Sequence, residues 1–168
     1  MQRLAGAIDT FVDRVGRATA WLTLGLALVM GANVLLRYGF SIGSIWMQEF
    51  EWHILVPICV FGMCYALLHG EHVRVDVAFQ YFSDKNKRRV DIIAAVLGML
   101  LSALVIKLSL PYVYQSWSIN EGTANPGGIE HRYIVKGLIP LGFALYFLQS
   151  LSETIKSYLA YRSVRDVV

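Results

Sequence analysis

The sequence has little charge and almost no cysteine. Of its 168 residues, only 16% are Asp, Glu, Lys or Arg, whereas 56% are hydrophobic. Two cysteines are too few for a small secreted fold held by disulfides, and the lack of a glycine period excludes collagen. The high apolar content excludes a disordered chain. A chain of this composition has to keep much of its surface away from water.

Charged residues and histidine are absent from four separate stretches of at least 15 residues. A helix needs about 20 residues to cross the hydrocarbon core of a bilayer, and the flanks of each stretch can extend it to that length. We therefore predict an all-α integral membrane protein that forms a single membrane domain, residues 1–168. The four spans are predicted at about 18–37, 50–68, 90–112 and 134–155. The end of the third span is blurred by Lys107 and Pro111.

Positive charge is distributed unevenly about these spans. Eleven of the 15 Lys and Arg residues precede the first span, separate the second from the third, or follow the fourth. The positive-inside rule then predicts that both termini and the middle loop are cytoplasmic. This distribution accounts for the net charge of +3 without a nucleic-acid partner, because basic residues at a membrane surface contact anionic membrane lipids.

Two segments beside the spans are amphipathic. In residues 1–17, apolar side chains such as Ile8 and Val12 recur at helical spacing, which predicts a helix lying on the inner membrane surface. A cytoplasmic extension of the first span is the alternative interpretation. A second surface helix is predicted over residues 69–82, which carry apolar side chains at similar spacing.

The densest polar cluster consists of His69, Glu71, His72, Arg74 and Asp76. Histidine and carboxylate side chains can bind a divalent cation, but the two histidines are three residues apart and the arginine would repel a metal. The cluster is better interpreted as a polar turn at the membrane interface.

No other pattern indicates bound cofactors or catalysis. Haem ligation in a four-helix subunit needs histidines on two helices at similar depth, and only the second span has them, His53 and His69, at its two ends. Cys59 and Cys64 point to different sides of one helix and cannot bridge. No span carries a central carboxylate, which argues against a self-sufficient proton-coupled transporter. We predict no metal, no cofactor and no enzymatic activity, a profile that suits an accessory or scaffold subunit.

Four motifs carry a resemblance to a known family. They are Arg37-Tyr38, Trp46-Met-Gln-Glu49, Gly70-Glu-His-Val-Arg-Val-Asp76 and Lys136-Gly-Leu-Ile-Pro-Leu-Gly-Phe143. Their order and spacing resemble the small membrane subunit of tripartite ATP-independent periplasmic (TRAP) transporters, over about residues 24–153.

The resemblance implies a bacterial inner-membrane complex with two partners. A periplasmic solute-binding protein captures a carboxylated organic solute, and a large membrane subunit imports it with a sodium gradient through an elevator-type movement. The solute and sodium sites belong to the large subunit, and the small subunit braces its stationary part. A haem- or quinone-associated membrane anchor of a redox complex is the alternative function.

Two sets of residues are candidates for contact with these partners. The proposed surface for the periplasmic partner comprises Arg37, Trp46, Glu49, Glu121 and Arg132. For the two acids at the mouth of the second span, Glu49 and Glu51, the alternative is solvation or pairing with Arg37. Small residues permit close helix contact, and the candidate contacts with the large subunit are Gly25, Gly31, Gly62, Gly98 and Gly142. Their alternative interpretation is that of ordinary glycines in membrane helices.

Overall fold

The computed structural model describes residues 2–71 and 81–165. Over these residues the regular structure is α-helix throughout, and four helices are long and apolar enough to cross a membrane. The helices are α1 (Gln2–Gly39), α2 (Ile45–His69), α3 (Asp84–Ser118) and α4 (Tyr133–Arg165). The predicted all-α fold with four spanning helices is confirmed. We term the end with the α1–α2 and α3–α4 loops the outer end, and the opposite end the inner end.

The first helix runs without a break from the N-terminal segment into the first apolar stretch. It has 38 residues, which makes it about 57 Å long at 1.5 Å per residue. Ala5 and Val12 are buried against the other helices. The first half of α1 is therefore part of the bundle. Of the second surface helix, predicted over residues 69–82, residues 72–80 lie outside the described residues.

The ends of α2 follow from local sequence. Ser44 precedes the helix, and its hydroxyl accepts a hydrogen bond from the amide of Met47 at 3.4 Å. At the other end Gly70 adopts a left-handed conformation with φ of 73°, and the amide of Glu71 donates to the carbonyl of Ala66 at 2.9 Å. Only glycine adopts this conformation without strain, so the helix stops sharply there.

The fourth helix packs on all the others, whereas α3 packs mainly on α4. The side of α3 that faces α4 carries small buried residues at a spacing of seven, which are Ala95, Ser102, Ser109 and Ser116. Gly98 lies in the same interface against Tyr146 and Ser150. Small side chains let two helix backbones approach closely, so this spacing defines the α3–α4 contact.

A small core joins the remaining three helices. Val12 of α1, Cys64 of α2 and Leu145 of α4 are buried together. Most other large apolar side chains are exposed, as Leu28 of α1 and Leu100 of α3 illustrate, at 66% and 63%. Such surfaces are stable only against lipid or another protein.

Near the inner end, α1 and α4 are joined by polar side chains. This inner polar cluster consists of Asp9, Gln149, Ser152 and Lys156. One oxygen of Asp9 accepts from Ser152 Oγ at 2.7 Å and from Gln149 Nε2 at 3.1 Å, and Lys156 Nζ lies 3.0 Å from the other. Gln149 and Ser152 are fully buried. The cluster ties the first helix of the chain to the last.

Candidate docking surface at the outer end

The α3–α4 loop, residues 119–132, is held against α2 by Glu49. We term this loop the outer cap. One oxygen of Glu49 accepts from Thr123 Oγ1 at 2.5 Å and Asn125 Nδ2 at 3.3 Å, and the other accepts from the amide of Ile129 at 2.7 Å. A carboxylate that accepts three hydrogen bonds fixes both the position and the direction of the loop.

Glycines allow the outer cap to approach Glu49 this closely. The cap turns at Gly127, whose φ is 80°, and the amide of Gly128 donates to the carbonyl of Asn125 at 3.1 Å. A methyl group on Gly128 would lie 2.6 Å from an oxygen of Glu49 and would also overlap Thr123. The turn formed by residues 125–128, Asn-Pro-Gly-Gly, therefore lets the backbone reach the carboxylate.

A second carboxylate attaches the outer cap to α4. Glu121 pairs with Lys136 Nζ at 2.5 Å, and its carbonyl accepts from the amide of Arg132 at 3.0 Å. Lys136 also lies over the ring of Tyr112, 4.0 Å from its centroid. The hydrogen bond from Lys136 lowers the pKa of Glu121, and the nearby charge of Arg132 adds to that effect. Glu121 is therefore kept ionised.

The other predicted docking residues lie exposed at the same end, and no hydrogen bond or ion pair joins them in the described structure. The guanidinium of Arg37 lies 5.9 Å from the ring centroid of Tyr38. Trp46 stacks on Phe50 with centroids 5.0 Å apart and remains 49% exposed. Arg132 is exposed at the end of the outer cap.

Among the described residues, neither Glu49 nor Glu51 pairs with Arg37. Glu49 is engaged by the outer cap, and Glu51 accepts a hydrogen bond from Asn33 Nδ2 at 2.8 Å. Asn33 is buried, so this contact joins α1 to α2 within the outer part of the bundle. The only sequence signal for it was an asparagine in an otherwise apolar stretch.

The five candidate glycines fall into two groups. Gly98 packs on Ser150 and Tyr146, and a methyl group on Gly142 would lie 2.5 Å from Cβ of Val60. These two are used for contacts inside the chain, where close packing requires them. Gly25, Gly31 and Gly62 have open space around them. A helix-contact glycine that sequence reasoning did not single out is Gly16, where a methyl group would overlap the ring of Tyr65.

His53, His131 and Cys64 each lie within hydrogen-bonding distance of another group in the chain. His53 Nδ1 lies 2.7 Å from the carbonyl of Glu49, and His131 Nδ1 lies 3.0 Å from Asn120 Oδ1. Cys64 is buried, with its sulfur 3.4 Å from the carbonyl of Gly142. Within residues 2–71 and 81–165, no three metal-binding side chains converge. Three members of the polar cluster, His72, Arg74 and Asp76, lie outside these described residues.

The architecture defines a multi-pass membrane protein, and comparison with known proteins narrows its class. Residues 26–159 match the family described as "Tripartite ATP-independent periplasmic transporters, DctQ component". The chain is also similar to the "Ectoine TRAP transporter small permease protein TeaB" of Halomonas elongata, with 24% identity over 157 residues. That alignment covers 92% of this chain and 79% of the relative.

Because the family match covers well over half of the sequence, the chain belongs to the DctQ family, the small permease subunits of TRAP transporters. The resemblance seen in the four sequence motifs is confirmed. A transporter subunit is favoured over a redox anchor, since both comparisons point to the same kind of membrane transporter.

Proposed function

We propose that this chain is the scaffold subunit of a sodium-coupled TRAP transporter that imports a carboxylated organic solute. It works with a large membrane subunit and a periplasmic solute-binding protein, and its outer cap forms part of the surface that receives the binding protein. The observation that carries the proposal is the double attachment of this cap. Glu49 and Glu121 hold it to α2 and α4, while Trp46 and Arg132 stay exposed beside it.

A fixed cap is suited to docking because a loop that is already ordered loses little conformational entropy when a partner binds. An exposed tryptophan beside charged side chains is the residue type that dominates protein interfaces. Glu49 and Glu121 act in this proposal by positioning the cap, since their carboxylates already have partners within the chain.

The division of labour follows from where the acids lie. The Asp and Glu side chains of the four helices lie beyond the predicted spans or near their ends, and the four uncharged stretches have none. Coupling ions and carboxylated solutes need polar groups near mid-membrane. In our proposal these groups belong to the large subunit, which this chain braces.

The proposed orientation of the chain in the membrane follows from its basic residues. Eleven of 15 lie at the inner end or in the segments connected to it. The positive-inside rule places that end and both termini in the cytoplasm of a bacterial inner membrane. The outer cap then faces the periplasm, where a binding protein can reach it.

Co-purification tests the partnership. The chain, tagged at its C terminus, is extracted from its native membrane in a mild detergent, and the bound proteins are identified. We expect a much larger multispan protein to be recovered with it. Recovery of the chain alone, or together with haem-containing subunits, would contradict the proposal and favour the redox alternative.

Separate substitution of two tryptophans tests the docking surface. Trp46→Ala removes an exposed side chain at the outer end, and solute uptake is expected to fall about tenfold. Trp21→Ala is the matched control, because Trp21 is 74% exposed but lies on α1 away from the cap. Equal uptake by both variants, with the large subunit still bound, would rule out Trp46 as a docking residue.

A further inference from the structure

The side of α3 that faces away from α4 has no partner among the described residues. A helix advances about 100° per residue, so residues seven apart lie nearly on one line. This far face of α3 comprises Ile93, Val96, Leu100, Lys107 and Tyr114. Its members are exposed, for example Leu100 at 63% and Tyr114 at 66%.

Lys107 is the anomaly on this face. Within the described part of the chain, Lys107 makes no ion pair and no side-chain hydrogen bond. The contrast with Lys136 is informative, because Lys136 also lies in an apolar helix but has both Glu121 and the Tyr112 ring as partners. One lysine is satisfied inside the chain, and the other is directed outwards.

The depth of Lys107 makes its lack of a partner costly. It precedes Tyr114 by seven residues and therefore lies about 10 Å further into the apolar part of the helix. Leu104 and Leu108, its neighbours along the helix, are 52% and 65% exposed. A cation among lipid chains is strongly unfavourable unless it pairs or extends to the interface.

Pro111 adds a second polar group at the same level. Proline has no backbone N–H, so the carbonyl of Lys107 lacks its donor from residue i+4. Pro111 lies only about 40° from Lys107 around the helix. The far face therefore presents a cation and a backbone acceptor together, at a depth where lipid chains offer neither an anion nor a donor.

We propose that the far face of α3 is the docking surface for the large membrane subunit, which presents a carboxylate to Lys107. The inference rests on the proposed function, which supplies the partner, and deepens it by naming the surface. Charge complementarity selects this occupant, because a partner with an acidic side chain at this depth satisfies Lys107 where it lies. The opposite side of α3 is already occupied by α4.

An exchange of two adjacent residues tests the proposal. The double variant Lys107→Leu with Leu108→Lys keeps composition, charge and, to about 1.5 Å, depth, but turns the cation by about 100° around the helix. We expect it to recover at least about tenfold less large subunit than the wild type in co-purification, because the partner's carboxylate is left buried and unpaired. Lys107→Arg, which keeps the charge in place, is expected to retain the complex.

The possible results separate the two proposals. If the exchanged variant inserts normally and still binds the large subunit, Lys107 merely extends to the interface, and the docking surface is wrong while the proposed function stands. If the wild-type chain itself recovers no large subunit, both proposals fail.

Photo-cross-linking keeps the proposal testable if the exchanged variant does not insert. A photoreactive amino acid is placed at Val96 or Leu100 on the far face, and at Leu101 or Leu108 elsewhere on α3. We expect adducts with the large subunit from the first pair only. Equal labelling from both pairs, or labelling from the second pair alone, would overturn the assignment.

Discussion

The two ends of this bundle use the same chemistry for different purposes. At the inner end, Asp9 accepts hydrogen bonds from Gln149 and Ser152 and pairs with Lys156. At the outer end, Glu49 accepts three hydrogen bonds from the cap. The inner carboxylate joins two helices, whereas the outer one joins a helix to a loop.

This difference separates stability from presentation. The inner polar cluster connects the first and last helices of the chain, so its loss should weaken the α1–α4 contact and destabilise the bundle. Loss of the Glu49 contacts detaches the cap from α2 but should leave the four helices packed as before. We therefore expect the inner carboxylate to matter for unfolding and the outer one for partner binding.

The largest effect on stability is expected at Asp9. Asp9→Ala removes three hydrogen bonds, from Ser152, Gln149 and Lys156, of which the last two keep Glu153 as an acceptor, and it should lower the free energy of unfolding by about 2 kcal/mol. Thermal unfolding in detergent measures the change. Asp13→Ala is the control, because its partners are exposed side chains, Arg17 at 2.8 Å and His69 at 3.6 Å, and such pairs contribute less than about 1 kcal/mol. Equal losses would contradict the special role of Asp9.

A smaller loss is expected from added volume between α2 and α4. Gly142→Ala places a methyl group 2.5 Å from Cβ of Val60, and the overpacking should lower the free energy of unfolding by about 1 kcal/mol or more. Gly25→Ala has open space around it and should be neutral in the same thermal measurement. A neutral Gly142→Ala would show that the α2–α4 contact is looser than the structure indicates.

The outer end should respond locally. Glu49→Ala removes the acceptor of the Ile129 amide, so hydrogen exchange at that amide should accelerate about tenfold while the unfolding temperature barely changes. Glu130→Ala is the matched control, because Glu130 is exposed beside Ile129. The amide exchange of this variant should match that of the wild type. Slow exchange at Ile129 without the Glu49 carboxylate would mean that other contacts hold the cap.

The smallest effect is expected when the pH is lowered, and it should be seen in the amide exchange of the outer cap. The pKa of Glu121 is lowered, so its contribution is complete above the ordinary value of 4.5 and is lost as the pH falls through the lower value in the folded protein. Amide exchange in the cap should be constant from neutral pH down to that ordinary value, after correction for intrinsic rates, and rise below it. Glu121→Gln should reduce this rise, and the part that remains belongs to Glu49, which also holds the cap. A rise as large as in the wild type would contradict the role of Glu121.

The four helices could be predicted because uncharged stretches of membrane length are a strong local signal. Even the third helix, whose end Lys107 and Pro111 blurred, could be located, and the structure shows that it continues to Ser118. The partners of Glu49 could not be predicted, because its bond to Ile129 spans 80 positions in sequence. Nothing local distinguishes a docking carboxylate from one that anchors a loop.

The contacts between helices could be predicted from the sequence only in part. A seven-residue spacing of Ala95, Ser102, Ser109 and Ser116 marks the α3–α4 interface in retrospect, and Gln149 in an apolar stretch marks the inner polar cluster. Glycine alone was ambiguous, because Gly98 and Gly25 look alike in sequence but only Gly98 has close neighbours. Which helix lies opposite a small residue depends on the fold as a whole.

The most direct test of the account measures how tightly the periplasmic solute-binding protein binds to the purified complex of small and large subunits. We predict that Glu49→Ala raises the Kd about fivefold or more, while Glu130→Ala does not and both complexes keep the wild-type unfolding temperature. An unchanged Kd for Glu49→Ala, or a rise that occurs only together with loss of bundle stability, would contradict the separation of the two ends.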